Sequence, residues 1–172
     1  TFDIKSDYNL HVMTERQTLA GVSARIMTGL QEIYEKEKPD VVLVHGDTTS
    51  SYIAAVCAFY QHIPIGHVEA GLRTYQLQSP FPEEFNRQAV GIVAKYNFAP
   101  TEKAKENLIK EGKKADTIYV TGNTAIDALK TTIKDNYYHK EFDWIGNSKL
   151  ILITAHRREN IGKPMHNMFR AI

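Results

Sequence analysis

Four groups of acidic, imidazole and guanidinium side chains carry the chemistry legible in this chain. They are His45-Gly46-Asp47, His67-Val68-Glu69 with Arg73, Pro82-Glu83-Glu84, and His156-Arg157-Arg158-Glu159. Carboxylates beside imidazoles are the residue types of general acid–base catalysis. A run of His-Arg-Arg suits a phosphate or diphosphate. Together they imply proton transfer on an anionic substrate. Each group sits just past a probable β-strand, and open α/β sheets bind their ligands at the carboxyl ends of strands.

Every group also has a plainer reading. Asp47 precedes a helix and is a candidate N-cap, a role Thr48, Thr49 or Ser50 could fill as well. Glu69 lies beside Ala70-Gly71, where small residues leave room for a ligand. A surface salt bridge is its alternative. Glu83 and Glu84 fall in a first helical turn, where the helix dipole favours anions. Arg73 and Arg87 could simply neutralise them. His156-Arg157-Arg158 could be an exposed basic turn. His45 and Asp47 are two apart and have no third ligand in view, so no metal site is expected.

Several familiar sites are excluded. There is no G-x-G, hence no dinucleotide fingerprint and no expectation of NAD. There is no G-x-x-x-x-G-K-[ST] loop, no H-E-x-x-H, no C-x-x-C and no G-x-S-x-G. The 21 basic and 20 acidic residues leave a net charge of +1, so nucleic acid and membrane surfaces are not expected partners. The lone cysteine, Cys57, lies in an apolar run and is expected to be a buried small hydrophobe. No apolar stretch approaches a membrane span, and no signal peptide is read, so the cytoplasm is expected. The chain starts without a clear element and stops inside a helical pattern. A fragment of a longer chain is therefore expected.

The elements that must position these groups alternate. Thr14 reads as an N-cap with Gln17 completing a capping box. Leu19, Val22, Ile26, Leu30 and Ile33 then recur at helical spacing up to Pro39. Residues 41–44 read as a strand apolar on both faces, as in a parallel sheet covered by helices. Residues 48–61 read as a helix with Ile53, Val56, Cys57 and Tyr60 on one face. Strands are expected at 63–68, 96–99, 117–120 and 150–153. Further helices are expected from Pro82 to about Lys95, from 100 to about Gly112, from Thr124 to about Asp135, and from about Pro164. Pro82 suits the first helical position. Residues 70–81 read as a loop. Repeated β–α units imply an α/β fold with a parallel sheet and right-handed crossovers.

The groups occur within longer segments: Val44-His45-Gly46-Asp47-Thr48-Thr49, Gly66-His67-Val68-Glu69-Ala70-Gly71-Leu72-Arg73-Thr74, Ser79-Pro80-Phe81-Pro82-Glu83-Glu84 with Asn86-Arg87, Thr121-Gly122-Asn123-Thr124-Ala125-Ile126-Asp127, and Thr154-Ala155-His156-Arg157-Arg158-Glu159-Asn160. In this order the chain resembles the bacterial, non-hydrolysing UDP-N-acetylglucosamine 2-epimerases. The resemblance implies two Rossmann-like domains in a GT-B-type arrangement, with the active site between them. It makes 1–140 most of the N-terminal domain, 141–148 a linker, and 149–172 the start of a UDP-binding C-terminal domain. It implies interconversion of UDP-GlcNAc and UDP-ManNAc through 2-acetamidoglucal and UDP, without NAD or metal. It matches Asp47, Glu69, Glu83 and His156 to catalytic positions and Arg73, Arg157 and Arg158 to substrate binding. Arg16 and Gln17 resemble part of a regulatory site. A homodimer and a role in surface-polysaccharide supply are also implied. A hydrolysing relative, a GT-B glycosyltransferase and a non-catalytic truncated module are the alternatives.

Overall fold

The structure is a computed structural model that describes residues 4–155 and 160–172. Helix α1 (Leu19–Glu37) is capped by Thr18, whose Oγ1 accepts the Gly21 N–H at 3.1 Å. The expected cap at Thr14 is thus corrected. The Thr14 N–H does donate to Gln17 Oε1 at 2.9 Å, but Arg16 has φ 52 and breaks the helical path between them. The pairing closes a turn ahead of the helix. Left-handed Lys38 closes α1 just before Pro39.

Four strands follow: β1 (Val42–His45), β2 (Ile65–Val68), β3 (Tyr96–Ala99) and β4 (Ile118–Val120). They pair in the order β1-β2-β3-β4, all parallel, as the β–α alternation requires. The connecting helices are α2 (Thr49–Tyr60), α3 (Glu83–Val93) and α4 (Glu102–Lys110), with α5 (Thr124–Thr132) after β4. Pro82 stands just outside α3 rather than at its first position.

Right-handed crossovers that always step in one direction lay their helices on the same face of the sheet. Val42, Val44 and Ile65 accordingly pack against Tyr34 of α1, Ala55, Cys57 and Ala58 of α2, and Val90 and Ala94 of α3. Ala99 and Ile118 pack on Ala104 and Leu108 of α4. Cys57 is buried as expected. Leu108 is fully buried, and Leu108→Ala would cost about 2–5 kcal/mol.

The opposite face departs from expectation. Leu43 is 63% exposed, so β1 is not covered on both sides among the described residues. Tyr60 is also exposed, because α2 turns Ala55, Cys57 and Ala58 to the sheet-side core and Ile53 to Val22 and Ile26 of α1 instead.

Contacts divide the chain into two units, Thr1–Thr131 and Thr132–Ile172. The sheet belongs to the first. In the second, residues 150–153 form no strand, contrary to the apolar run. A strand needs a neighbour for its backbone groups, and the described residues of this unit supply none. Leu152 is 84% exposed. Helix α6 (Lys163–Ala171) carries Pro164 in its first turn, as expected.

Candidate acid–base site at the carboxyl edge of the sheet

Asp47 follows β1 and is not the helix cap. Thr48 caps α2, with its Oγ1 accepting from the Ser51 N–H at 3.2 Å. The Asp47 carboxylate is thereby released from capping and pairs with the Arg87 guanidinium of α3. The same guanidinium lies 3.5 Å from Glu84.

Glu69 follows β2 with φ 68. That left-handed conformation costs a non-glycine residue about 1–2 kcal/mol and persists only where surroundings impose it. Here the Ala70 N–H continues the sheet ladder onto the Phe98 carbonyl at 3.0 Å, so the chain bends at Glu69 without leaving the sheet. The bend brings the Glu69 carboxylate over Gly46. A Cβ at Gly46, which has φ 71, would stand 3.2 Å from Glu69 Oε2. The glycine therefore admits Glu69 next to the turn that carries Asp47.

The two glutamates of α3 part company. Glu84 is fully buried. It accepts from the Thr74 N–H at 3.1 Å, the Tyr75 N–H at 2.9 Å and Gln88 Nε2 at 2.8 Å. Burial pushes its carboxyl up, but these hydrogen bonds and the Arg87 charge outweigh burial and hold it below the ordinary range. Glu83 is part-buried, and its side chain has no hydrogen bond or ion pair to another described residue.

His67 lies in β2 and is fully buried. Its Nε2–H donates to the Gly46 carbonyl at 2.9 Å. Burial lowers its pKa from 6.5 to about 4, so the ring is neutral at neutral pH. Exposed His45 approaches Thr124 Oγ1 at 3.3 Å, which ties the β1 end to the start of α5.

Arg73, expected as a substrate contact, is engaged within the fold. Its side chain is buried, and its fork holds Glu111 at 2.7 and 2.8 Å while Nη1 donates to the Leu72 carbonyl at 2.8 Å. That arrangement pins the start of the 72–82 segment to the end of α4. Gly71 next to it sits so tightly on the Ala104 carbonyl that no side chain fits. Arg16 is exposed, and Gln17 is bound to Thr14 of its own turn and to Arg25 of α1. His156, Arg157, Arg158 and Glu159 lie outside the described residues.

The site therefore gathers Asp47, Glu69 and α3 at one edge, as the strand-end reading expected. Sequence reasoning underrated Asn86 and Arg87. Asn86 Nδ2 donates to the Asp47 carbonyl at 2.9 Å, and Arg87 joins Asp47 to Glu84. Their signal was spacing: one turn of helix after Pro82-Glu83 puts both on the side that meets the β1 turn. Among the described residues no group of three or more His, Cys, Asp and Glu could hold a metal. Among them, too, no helix is long and apolar enough to cross a membrane.

Fold and site define a parallel α/β unit with carboxylates gathered around Gly46 and Arg87 at the carboxyl edge of its sheet. The family model described as UDP-N-acetylglucosamine 2-epimerase matches residues 1–172. The chain is 58% identical over 171 residues to a UDP-N-acetylglucosamine 2-epimerase of Bacillus subtilis, covering 99% of this chain and 45% of the relative. The S. aureus MnaA–UDP co-structure superposes with TM-score 0.90 at 51% identity, covering 99% of this chain and 45% of that one. The Neisseria meningitidis UDP-GlcNAc 2-epimerase bound to UDP-GlcNAc matches with TM-score 0.86 at 48% identity, covering 96% of this chain and 47% of that one. This chain belongs to the UDP-N-acetylglucosamine 2-epimerase family, and it spans just under half the length of these relatives.

Proposed function

We propose that the full-length gene product interconverts UDP-GlcNAc and UDP-ManNAc by the non-hydrolysing route. The observation that supports this most is the meeting of Asp47, Glu69 and helix α3, whose first turn carries Glu83, at one edge of the sheet in a chain whose Neisseria relative is solved with UDP-GlcNAc. The C2–H of the sugar is not adjacent to a carbonyl and is a poor acid. Breaking the C1–O bond first, with its electron pair leaving on the UDP oxygen, makes C1 electron-poor and acidifies C2–H. A carboxylate then takes that proton and a C1=C2 bond forms, giving 2-acetamidoglucal. A second group returns a proton to the other face of C2, and the UDP oxygen re-adds at C1.

The route calls for two acid–base groups with different protonation states on opposite faces. Asp47, Glu69 and Glu83 are the proposed set. Arg87 favours an ionised Asp47, whereas Glu83 has no charge partner among the described residues. His156, Arg157 and Arg158 are proposed to stabilise the departing diphosphate. No nicotinamide or metal enters the scheme. Arg73 acts here by fixing the 72–82 segment. Arg16 and Gln17 remain proposed for a regulatory site. The proposal takes the full protein to be a cytoplasmic homodimer with a second, UDP-binding domain in a GT-B-type arrangement.

Incubation of the full-length gene product with UDP-GlcNAc should yield UDP-ManNAc, with 2-acetamidoglucal and UDP trapped on long incubation. Free ManNAc as the main product would assign the protein to the hydrolysing relatives instead. No sugar product at all would overturn the reading.

A further inference from the structure

Three successive carbonyls in the turn after β1 are each held by a side chain from a different element. Ser51 Oγ of α2 donates to the His45 carbonyl at 2.6 Å. His67 Nε2 of β2 donates to the Gly46 carbonyl at 2.9 Å. Asn86 Nδ2 of α3 donates to the Asp47 carbonyl at 2.9 Å. His67 and Asn86 are buried, at 0% and 3% exposure. We propose that His67 and Asn86 are positioning residues that clasp the turn and so aim the Asp47 carboxylate, a role that rests on the acid–base reading of Asp47.

Gly46 is the reason a clasp is needed. A glycine moves easily between both halves of φ space, so a turn hinged on it does not hold its neighbour's direction unaided. Fixing the carbonyls on each side of the Asp47 α-carbon, those of Gly46 and Asp47, removes that freedom. His67 is also a strange choice for packing alone. It lines up with Val44 on one side and Asn97 on the other, in a row facing the helices. An aliphatic residue would fill that row without stranding an acceptor, yet His67 Nδ1 has no partner among the described residues. A buried unpaired acceptor is tolerated where the rest of the group does something an apolar side chain cannot. Here that is the N–H onto Gly46. Burial keeps the ring neutral, with the pKa lowered to about 4, so a single N–H exists and the carbonyl fixes it on Nε2.

The test uses His67→Leu, His67→Gln and Asn86→Ala in the full-length gene product. Glutamine presents an amide N–H where imidazole Nε2 sits, and leucine does not. His67→Leu should lower kcat about 100-fold, the scale of a misaimed catalytic group, with KM changed less than about threefold. His67→Gln should recover to within about fivefold of wild type. Hydrogen exchange of the Gly46 amide, which donates to the Val68 carbonyl at 3.0 Å, should speed up in His67→Leu and return in His67→Gln. Asn86→Ala should repeat the loss of kcat from the other side of the turn, and it carries the test if His67→Leu does not fold. Wild-type kcat in both His67→Leu and Asn86→Ala would overturn the proposal. So would equal losses in His67→Leu and His67→Gln with unaltered exchange. A wild-type protein with no turnover would instead overturn the acid–base reading, while the exchange pattern would still report whether the clasp exists.

Discussion

Glu83 and Glu84 are neighbours in one helical turn and have opposite fates. A step along an α-helix rotates the side chain by about 100°. That rotation sends Glu84 inward, where two backbone amides, Gln88 and Arg87 surround it, and leaves Glu83 part-buried with no side-chain hydrogen bond to another described residue. A carboxylate with every lone pair engaged shapes the chain around it. One with none engaged is available to exchange a proton. The proposed acid–base set therefore leans on a residue outside it: Glu84 holds the Thr74–Tyr75 segment and shares Arg87 with Asp47.

The contrast can be broken at several points. Glu83→Gln in the full-length gene product should cut turnover by about 10²–10⁴-fold, with unfolding free energy within about 0.5 kcal/mol of wild type. Equal activity would remove Glu83 from the set. Glu84→Ala should invert the pattern by unfolding in less urea, by about 3 kcal/mol, since it strands two amides and takes from Arg87 one of its two carboxylate partners. A Glu84→Ala variant of wild-type stability would make the two glutamates equivalent.

Acid sharpens the comparison on a smaller scale. His67 has a folded pKa of about 4 against 6.5 unfolded. Below 6.5 the unfolded chain binds a proton that the folded chain refuses, so stability falls as pH drops from 6.5 to 4. The loss is up to about 3 kcal/mol. Glu84 acts in the same direction at lower pH, because its carboxyl is held below the ordinary range and its contribution fades on protonation. Urea midpoints across pH 7 to 4 check this, and His67→Gln should flatten the upper part of the curve. An unchanged slope in His67→Gln would place the acid sensitivity elsewhere.

The parallel sheet was legible because β-branched runs alternate with helical spacing, and each strand–helix unit closes locally. The strand-end carboxylates were legible for the same reason. Tertiary partnership was not. Thr48 rather than Asp47 caps α2, and a cap is chosen among adjacent polar residues by backbone geometry that composition does not encode. The resemblance made Arg73 a substrate contact, but its pairing with Glu111, 38 residues away, was not legible. His67 and Asn86 were legible as residues but not as donors, since their acceptors are backbone carbonyls of another element. Residues 150–153 have a strand's composition without a strand's neighbour among the described residues.

The central claim is that carboxylates at this sheet edge move a proton at C2 of a nucleotide sugar. Its most direct test is the full-length gene product turning over UDP-GlcNAc in D₂O, with the recovered sugars examined by NMR. The account predicts deuterium at C2 of both UDP-ManNAc and returned UDP-GlcNAc. Epimerised sugar that retains its original C2 hydrogen would contradict it.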